Sequence, residues 1–409
     1  MQPDPSSSIP SHVPPELARP FALTPRAVSY VDPFAELVPR IHEGPAVFWG
    51  TDVFPGAAGG GWVIRRNEDL KRVYDNTTEV MKRGNTQFAA MIGESWDIIP
   101  TELDPPTHSA FRTALNPLYT PKKMAELEQK VRERSQSLIA RIKDRDGCDF
   151  IKDYAIPFPV SIFLDLMGLP QERMQEFLDW ENALVHAPTW EVRGRAVRLA
   201  KDMLYQAVDA RIADPADDLI SQVLKLRVDG RPWSREEVFG HCFNLFLGGL
   251  DTVTANLGLH FYHLARHPEL QRELREDPSK IENALQELLR AYAAVTTFRL
   301  CKQDFTLHGV TIKAGDRIAM STPLGSNDPE AFPNPQTIDI ERRPVHLTFG
   351  FGLHRCLGAH LARRELDVSL REMLKSIPEF RIEEGFKVPF MLSNVIHVNE
   401  LPLVWNRRA

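Results

Sequence analysis

In the run HLTFGFGLHRCLGAHLARRE, residues 346–365, one cysteine, Cys356, stands between glycine-rich chain and a segment of helical periodicity. The positive end of a helix and its free N–H groups favour a thiolate at such a place. Gly350, Gly352 and Gly358 let the backbone approach a flat, bulky group or aim N–H groups at the sulfur, and Phe349 and Phe351 supply apolar walls. Four chemistries compete for the thiol. A nucleophile wants a partnered base; His354 and His360 are near, but no orienting group follows. Zinc wants about four ligands, and His346, His354, Cys356 and His360 do not have a usual ligand spacing. An inert buried cysteine is the bland alternative. An axial thiolate to haem iron needs only one protein ligand.

Other residues carry polar chemistry into apolar surroundings. Gly248 and Gly249 interrupt the apolar run of residues 243–265. Each costs a helix about 1 kcal/mol, and together they leave room for something pressed against it. Asp251 and Thr252 place a carboxylate and a hydroxyl in the same run, where polar groups need partners or a task. A thread of core hydrogen bonds is one reading and a proton relay the other. Glu287 and Arg290 lie at i,i+3, a pair that is usually solvated, but Leu288 and Leu289 between them suggest burial. His108 and Arg112 share a helix face at i,i+4. GAAGGG, residues 56–61, lacks the GxGxxG spacing and a lysine, so it reads as a flexible loop rather than a phosphate cradle.

FGFGLHRCLG closely resembles the haem-binding signature of the cytochromes P450, FxxGxxxCxG, through Phe349, Gly352, Cys356 and Gly358. ENALQELLR, GGLDT and DPPTHSAFR resemble further family segments in the same order. The similarity runs from about residue 40 to the end. WDIIPTELDPP, LHGVTIKAGD, HLARRE and LPLVW place it near the bacterial class I, camphor-hydroxylase branch. The resemblance implies a mainly α prism fold with small β-sheets. It implies an N-terminal arm over residues 1–40 and a single catalytic domain over 41–409. Haem b is then expected between a central helix at about 234–265 and the Cys356 helix at about 357–375.

Carried over residue by residue, the resemblance makes Cys356 the axial thiolate. His108, Arg112, Arg299 and His354 become propionate partners, with Phe349 and Gly248 against the haem. Asp251 and Thr252 become the proton relay, and Glu287 with Arg290 the structural lock on the segment before the cysteine. Phe88, Trp96, Thr101, Leu247, Val295, Thr296, Asn394 and Val395 match pocket positions. The implied activity is hydroxylation of an unactivated C–H bond by a haem-thiolate monooxygenase using O2. Electrons are expected from a [2Fe-2S] ferredoxin, itself reduced by an NADH-dependent flavoprotein, docking near Arg72, Arg112, Lys122 and Lys123. The mostly apolar lining suits a small apolar substrate with one polar group, a terpenoid or norisoprenoid ketone.

The chain departs from the branch at informative positions. Trp96 replaces the tyrosine that holds a ketone, and an indole N–H projects differently. Thr297 replaces an aspartate near a propionate. Leu178 and His186 replace the lysine and arginine that tether the relay aspartate, so Asp251 is expected to swing more freely or to pair with His186. Two rivals share the haem: a peroxide-driven enzyme, against which the intact Asp251–Thr252 pair argues, and a non-catalytic haem sensor or carrier.

Elements must position these groups. The chain of 409 residues is 43% hydrophobic, enough for a large core. With 49 basic and 55 acidic side chains it has no concentrated basic character for nucleic acid. Four cysteines without a CxxC fit a reducing, cytoplasmic setting, and no run is clean enough for a membrane anchor. The periodicity predicts a strand at 62–66 and a helix capped by Asn67. Further helices are predicted from Thr107, over 121–143, over FPVSIFLDLMGL and ERMQEFLDWENAL, and over 190–213. Ser234 with Glu237, and Ser279 in DPSKIENALQELLRAYA, have capping-box spacing. Short strands are predicted around TLHGVTIKAGDRIAM and in the C-terminal tail.

Overall fold

The computed structural model describes residues 9–23, 27–53, 59–84, 88–187 and 189–406, except the side chains of Val185 and His186. The first half of GAAGGG, residues 56–58, and the expected Asp251–His186 pairing lie outside the described residues. The chain is mainly helical, with a six-stranded sheet and smaller ones at its margins. The six strands run in the order Ala18–Arg19, Val47–Gly50, Gly61–Ile64, Arg317–Ser321, Thr296–Cys301, Val80–Met81. The proline-rich start is part of this body. Ala18–Arg19 pairs in parallel with Val47–Gly50, and Val13, Phe21 and Leu23 are buried. The apolar residues spaced between the prolines give that stretch something to bury.

Local chemistry sets the helix ends, sometimes differently from the expectation. Ser234 caps Arg235–Gly249 by accepting the Glu237 N–H at 3.1 Å, while the Glu237 carboxylate accepts the Ser234 N–H at 2.7 Å. Asn67 begins its helix but does not cap it; its side-chain amide donates to the Gly325 carbonyl at 2.8 Å. Ser279 is not a cap either. Asp277 accepts its N–H in a short turn, Pro278–Lys280, and the helix runs Ile281–Ala291. The stretch 121–143 divides at Leu127 into Pro121–Glu126 and Glu128–Ile142.

The central helix is two helices, Arg235–Gly249 and Asp251–Arg266, parted at Leu250. Adjacent glycines weaken the ladder there, and hydroxyls divert it: Thr252 Oγ1 donates to Gly248 O at 2.8 Å and Thr254 Oγ1 to Leu250 O at 2.9 Å. The halves belong to different cores. Val238, Phe239, Phe243 and Phe246 pack with the helices Met174–His186 and Trp190–Ala213. Leu257, Leu259, Phe261 and Leu264 pack with Ile281–Ala291 and Ala359–Ser376. The break lies on the seam between the two. Among the described residues no helix is long and apolar enough to cross a membrane.

Glu287 and Arg290 are fully buried, and Arg290 Nε and Nη2 donate to the two carboxylate oxygens at 2.9 and 2.8 Å. Arg290 also donates to Ser326 O at 3.0 Å and Pro335 O at 2.8 Å, and Glu287 accepts the Asp339 N–H at 3.2 Å. The pair thus ties one helix to the irregular chain that leads to Cys356. Arg342 also lies 3.1 Å from Glu287, so it is removal of Glu287 that leaves the Arg290 guanidinium buried without a carboxylate. Glu287→Ala is expected to cost about 3–5 kcal/mol in equilibrium denaturation and to loosen that chain. A loss below about 1 kcal/mol, the range of an exposed pair, would contradict this role.

Candidate active site

The turn before Cys356 is built from two left-handed glycines, Gly350 at φ 68° and Gly352 at φ 66°. A Cβ on Gly352 would meet Asp75 Oδ1 and crowd the Tyr74 carbonyl at 3.1 Å, adding to the strain that its positive φ puts on any other residue. The Cys356 N–H donates to Phe349 O at 2.8 Å, closing the loop and turning the side chain into a cavity ahead of the helix Ala359–Ser376. Burial pushes the thiol up. The Gly358 N–H and the guanidinium groups of Arg112, Arg355 and Arg363 pull the other way, favouring the thiolate.

The cavity, about 330 Å³, lies between this loop and the break in the central helix. Gly248, Gly249, Thr252 and Val253 face Cys356 and Phe349 across it. A Cβ built on Gly248, Gly249 or Gly358 meets no atom within 4 Å, so glycine here keeps an open slot clear. One end of the slot gathers basic groups and donors: Lys82, Arg112 and Arg299, with the imidazoles of His108 and His354, line it. His108 is buried, and neither of its ring nitrogens has a partner among the described residues. Burial and the neighbouring Arg112 lower its pKa to about 4. Burial and Arg299 likewise lower Lys82 to about 7. So many desolvated donors gathered at one end form a receptor for an anion. The other end is apolar, with Ile162, Phe163, Leu166, Leu245 and Val295. A flat group with a metal ligand on one face, carboxylates at one edge and no polar needs elsewhere fits this set, which is the chemistry of haem.

Of the sequence-derived site residues, Cys356, Thr252, Gly248, Phe349, His108, Arg112, Arg299, His354, Thr101 and Val295 line the cavity, as does Thr297. Asp251 is buried at the break beside Thr252. Others do not reach the lining. Trp96 is wedged edge-on against Phe239 and Phe243 at 5.0 and 4.8 Å, and its N–H donates to Glu94 at 2.8 Å. It lines an outer groove with Lys201 and Tyr205. Phe88 stacks edge-on with Phe243. Leu247 packs into the neighbouring core. The Thr296 hydroxyl donates to Ser321 at 3.3 Å. Asn394 is exposed, and Val395 bridges to Val295 behind the wall. The zinc alternative finds no support: among the described residues no three His, Cys, Asp or Glu converge to hold a metal. Of the docking candidates, Arg72 and Lys122 are exposed and Lys123 pairs with Glu126, while Arg112 faces the cavity.

Several lining groups escaped the sequence reading. Lys82, just after the strand Val80–Met81, and Tyr74, on a helix, reach the same end with no motif of their own, and Tyr74 OH lies 3.4 Å from Thr297 Oγ1. Asn244 lines the apolar end; its presence in the apolar run FNLFLGG was the available signal. Glu181, on the helix Met174–His186, has a sealed Oε1 with no partner among the described residues, and it faces Asp251. Leu178, one turn earlier, packs into the apolar core, so no cation comes from that position.

With this geometry in place, comparison with known proteins is decisive. The cytochrome P450 family profile matches residues 182–395. The chain is 37% identical to "Probable cytochrome P450 127A1" of Sinorhizobium fredii, over 98% of this chain and 97% of that protein. It is 31% identical to the polyketide biosynthesis cytochrome P450 PksS of Bacillus subtilis, over 80% and 84% of the two chains. The crystal structure of CYP101C1 superimposes with a TM-score of 0.87 at 34% identity, covering 98% of this chain and 100% of that one. CYP101J2 gives 0.87 at 30% identity, covering 98% and 99%. The site is that of a haem-thiolate monooxygenase. The chain belongs to the cytochrome P450 family, and its cofactor is haem b with a cysteine thiolate ligand.

Glu181 yields a pH dependence. Burial first, and the Asp251 charge second, raise its carboxyl to about 8 from an ordinary 4.5. Between those values the folded protein holds a proton that the unfolded chain releases, so stability falls as pH rises through the window. Glu181→Gln removes this contribution together with the repulsion between Glu181 and the neighbouring Asp251. The variant is expected to gain on the wild type by up to about 1.4 kcal/mol per pH unit between pH 5 and 8, read from denaturation curves. A difference that does not change with pH would show that Glu181 ionises freely.

Proposed function

We propose that this monooxygenase hydroxylates an unactivated C–H bond of a small, mostly apolar terpenoid or norisoprenoid ketone. Its electrons come from a [2Fe-2S] ferredoxin reduced by an NADH-dependent flavoprotein. The observation that carries the reading is the slot itself: one sulfur on its floor, cations at one end, apolar side chains at the other. The likeness to CYP101C1 and CYP101J2 and the camphor-hydroxylase-like segments support the substrate class. The exposed basic residues Arg72, Lys122 and Arg355, on elements near the cysteine loop, suit an acidic protein partner.

Haem b, when bound, supplies the redox centre at which O2 is activated and oxygen transferred. The chain supplies the rest. Cys356 gives the anionic ligand, and the Gly358 N–H and Arg112 keep that charge from being costly. His108, Arg112, Arg299 and His354, joined by Lys82, hold the propionate edge. Thr252 donates its own proton to Gly248 O, which turns the hydroxyl's lone pairs toward the slot. It is thereby set to accept a hydrogen bond there and to hold a proton on its way from Asp251. Ile162, Phe163, Leu245 and Val295 exclude water and decide which C–H lies nearest.

The reading is tested by optical titration of the holoenzyme with terpenoid ketones, then product analysis with NADH and a ferredoxin pair. A Soret shift toward the high-spin position and hydroxylated product are expected. Product only with added peroxide would favour the peroxide-driven alternative, and binding without product a carrier. Thr252→Ala is expected to retain haem and consume NADH but to release most of the reducing equivalents as hydrogen peroxide. Undiminished product per NADH in that variant would remove Thr252 from the relay.

A further inference from the structure

We infer that Asn244 anchors the substrate: its side-chain amide donates to the substrate's carbonyl oxygen, and Thr101 holds the amide in that attitude. This rests on the apolar-ketone reading above and names the contact that reading needs. Asn244 lies on Arg235–Gly249 one turn before Gly248, so it projects on the glycine face that opens the slot. The Thr101 hydroxyl donates to Asn244 Oδ1 at 2.5 Å. With the oxygen engaged, the two N–H groups of Nδ2 are left toward the cavity, and no described residue accepts from them.

The threonines around the slot are spent. Thr252 donates to Gly248 O at 2.8 Å, Thr322 to Val295 O at 2.7 Å and Thr348 to Leu289 O at 2.5 Å. The Trp96 N–H is held by Glu94 outside the cavity. The cations sit at the opposite end, where they suit carboxylates. Asn244 is therefore the donor on the central-helix wall that lacks an acceptor among the described residues; Glu365, whose carboxyl burial raises to about 8, lines the cavity from Ala359–Ser376, the helix that follows the cysteine loop. An amide placed among Phe243, Leu245 and Phe246 is costly unless both of its ends are satisfied. A carbonyl oxygen satisfies the free end without needing a donor in return, whereas a hydrocarbon leaves it bare.

The test is optical titration of the haem-loaded wild type, Asn244→Leu and Thr101→Val with 2-adamantanone and with 2-methyleneadamantane, which replaces the oxygen by CH2. Wild type is expected to prefer the ketone. Asn244→Leu is expected to weaken the ketone about tenfold, the value of one hydrogen bond, and to leave the hydrocarbon within about threefold. Thr101→Val is expected to shift the same ratio in the same direction by less, because the amide is then free to turn. Should Asn244→Leu fail to retain haem, the ratio in this milder variant decides for or against the anchor. An unchanged ketone-to-hydrocarbon ratio, with both probes still binding, overturns the anchor and leaves the apolar-pocket reading standing. A wild type that shifts its spectrum with neither probe overturns the apolar-ketone reading, and the anchor with it.

Discussion

Everything in this molecule is arranged around the need to keep one sulfur anionic while it faces an apolar slot. Burial opposes that charge, and the Gly358 N–H with Arg112, Arg355 and Arg363 answers it. A metal bound to the sulfur settles the balance, since a coordinating thiol is deprotonated outright. The loop can hold the sulfur only because Gly350 and Gly352 adopt backbone that other residues resist. The chain leading into the loop is held in turn by Arg290, which reaches Ser326 and Pro335 while bound on both oxygens to Glu287. A fully buried ion pair is a poor source of stability by itself. Here it fixes where the cysteine arrives.

The opposite wall solves a complementary problem. A long buried helix normally presents side chains all along its length, yet a flat group and its reactants need open space. Two glycines and two hydroxyls bonded back to i−4 carbonyls part the central helix at Leu250. Because its halves pack into separate cores, the break falls where no core needs filling. The same break places Asp251 beside Thr252 and sets it against Glu181, a second carboxyl.

What was legible in the sequence was whatever is local. The cysteine signature, the Gly-Gly-Leu-Asp-Thr run and the Glu287–Arg290 spacing each lie within a few residues, and their chemistry follows from type and spacing alone. The Ser234 capping box is of the same kind. The failures are contacts between distant segments. Asn67 and Ser279 have the residue types of helix caps, but Gly325 and Asp277 claim their polar groups. Trp96 occupies a pocket position in sequence, yet Phe239 and Phe243 hold the indole outward toward Glu94. Lys82, Tyr74, Asn244 and Glu181 reach the site from four separate elements, and none has a neighbour in sequence that announces it.

The central claim is that Cys356 binds the iron as a thiolate, and the reduced holoprotein exposed to carbon monoxide tests it most directly. The account requires the red-shifted Soret band for which the family is named, lost on Cys356→His while the protein stays folded. A natively folded protein with the shorter-wavelength band of a neutral axial ligand would contradict it.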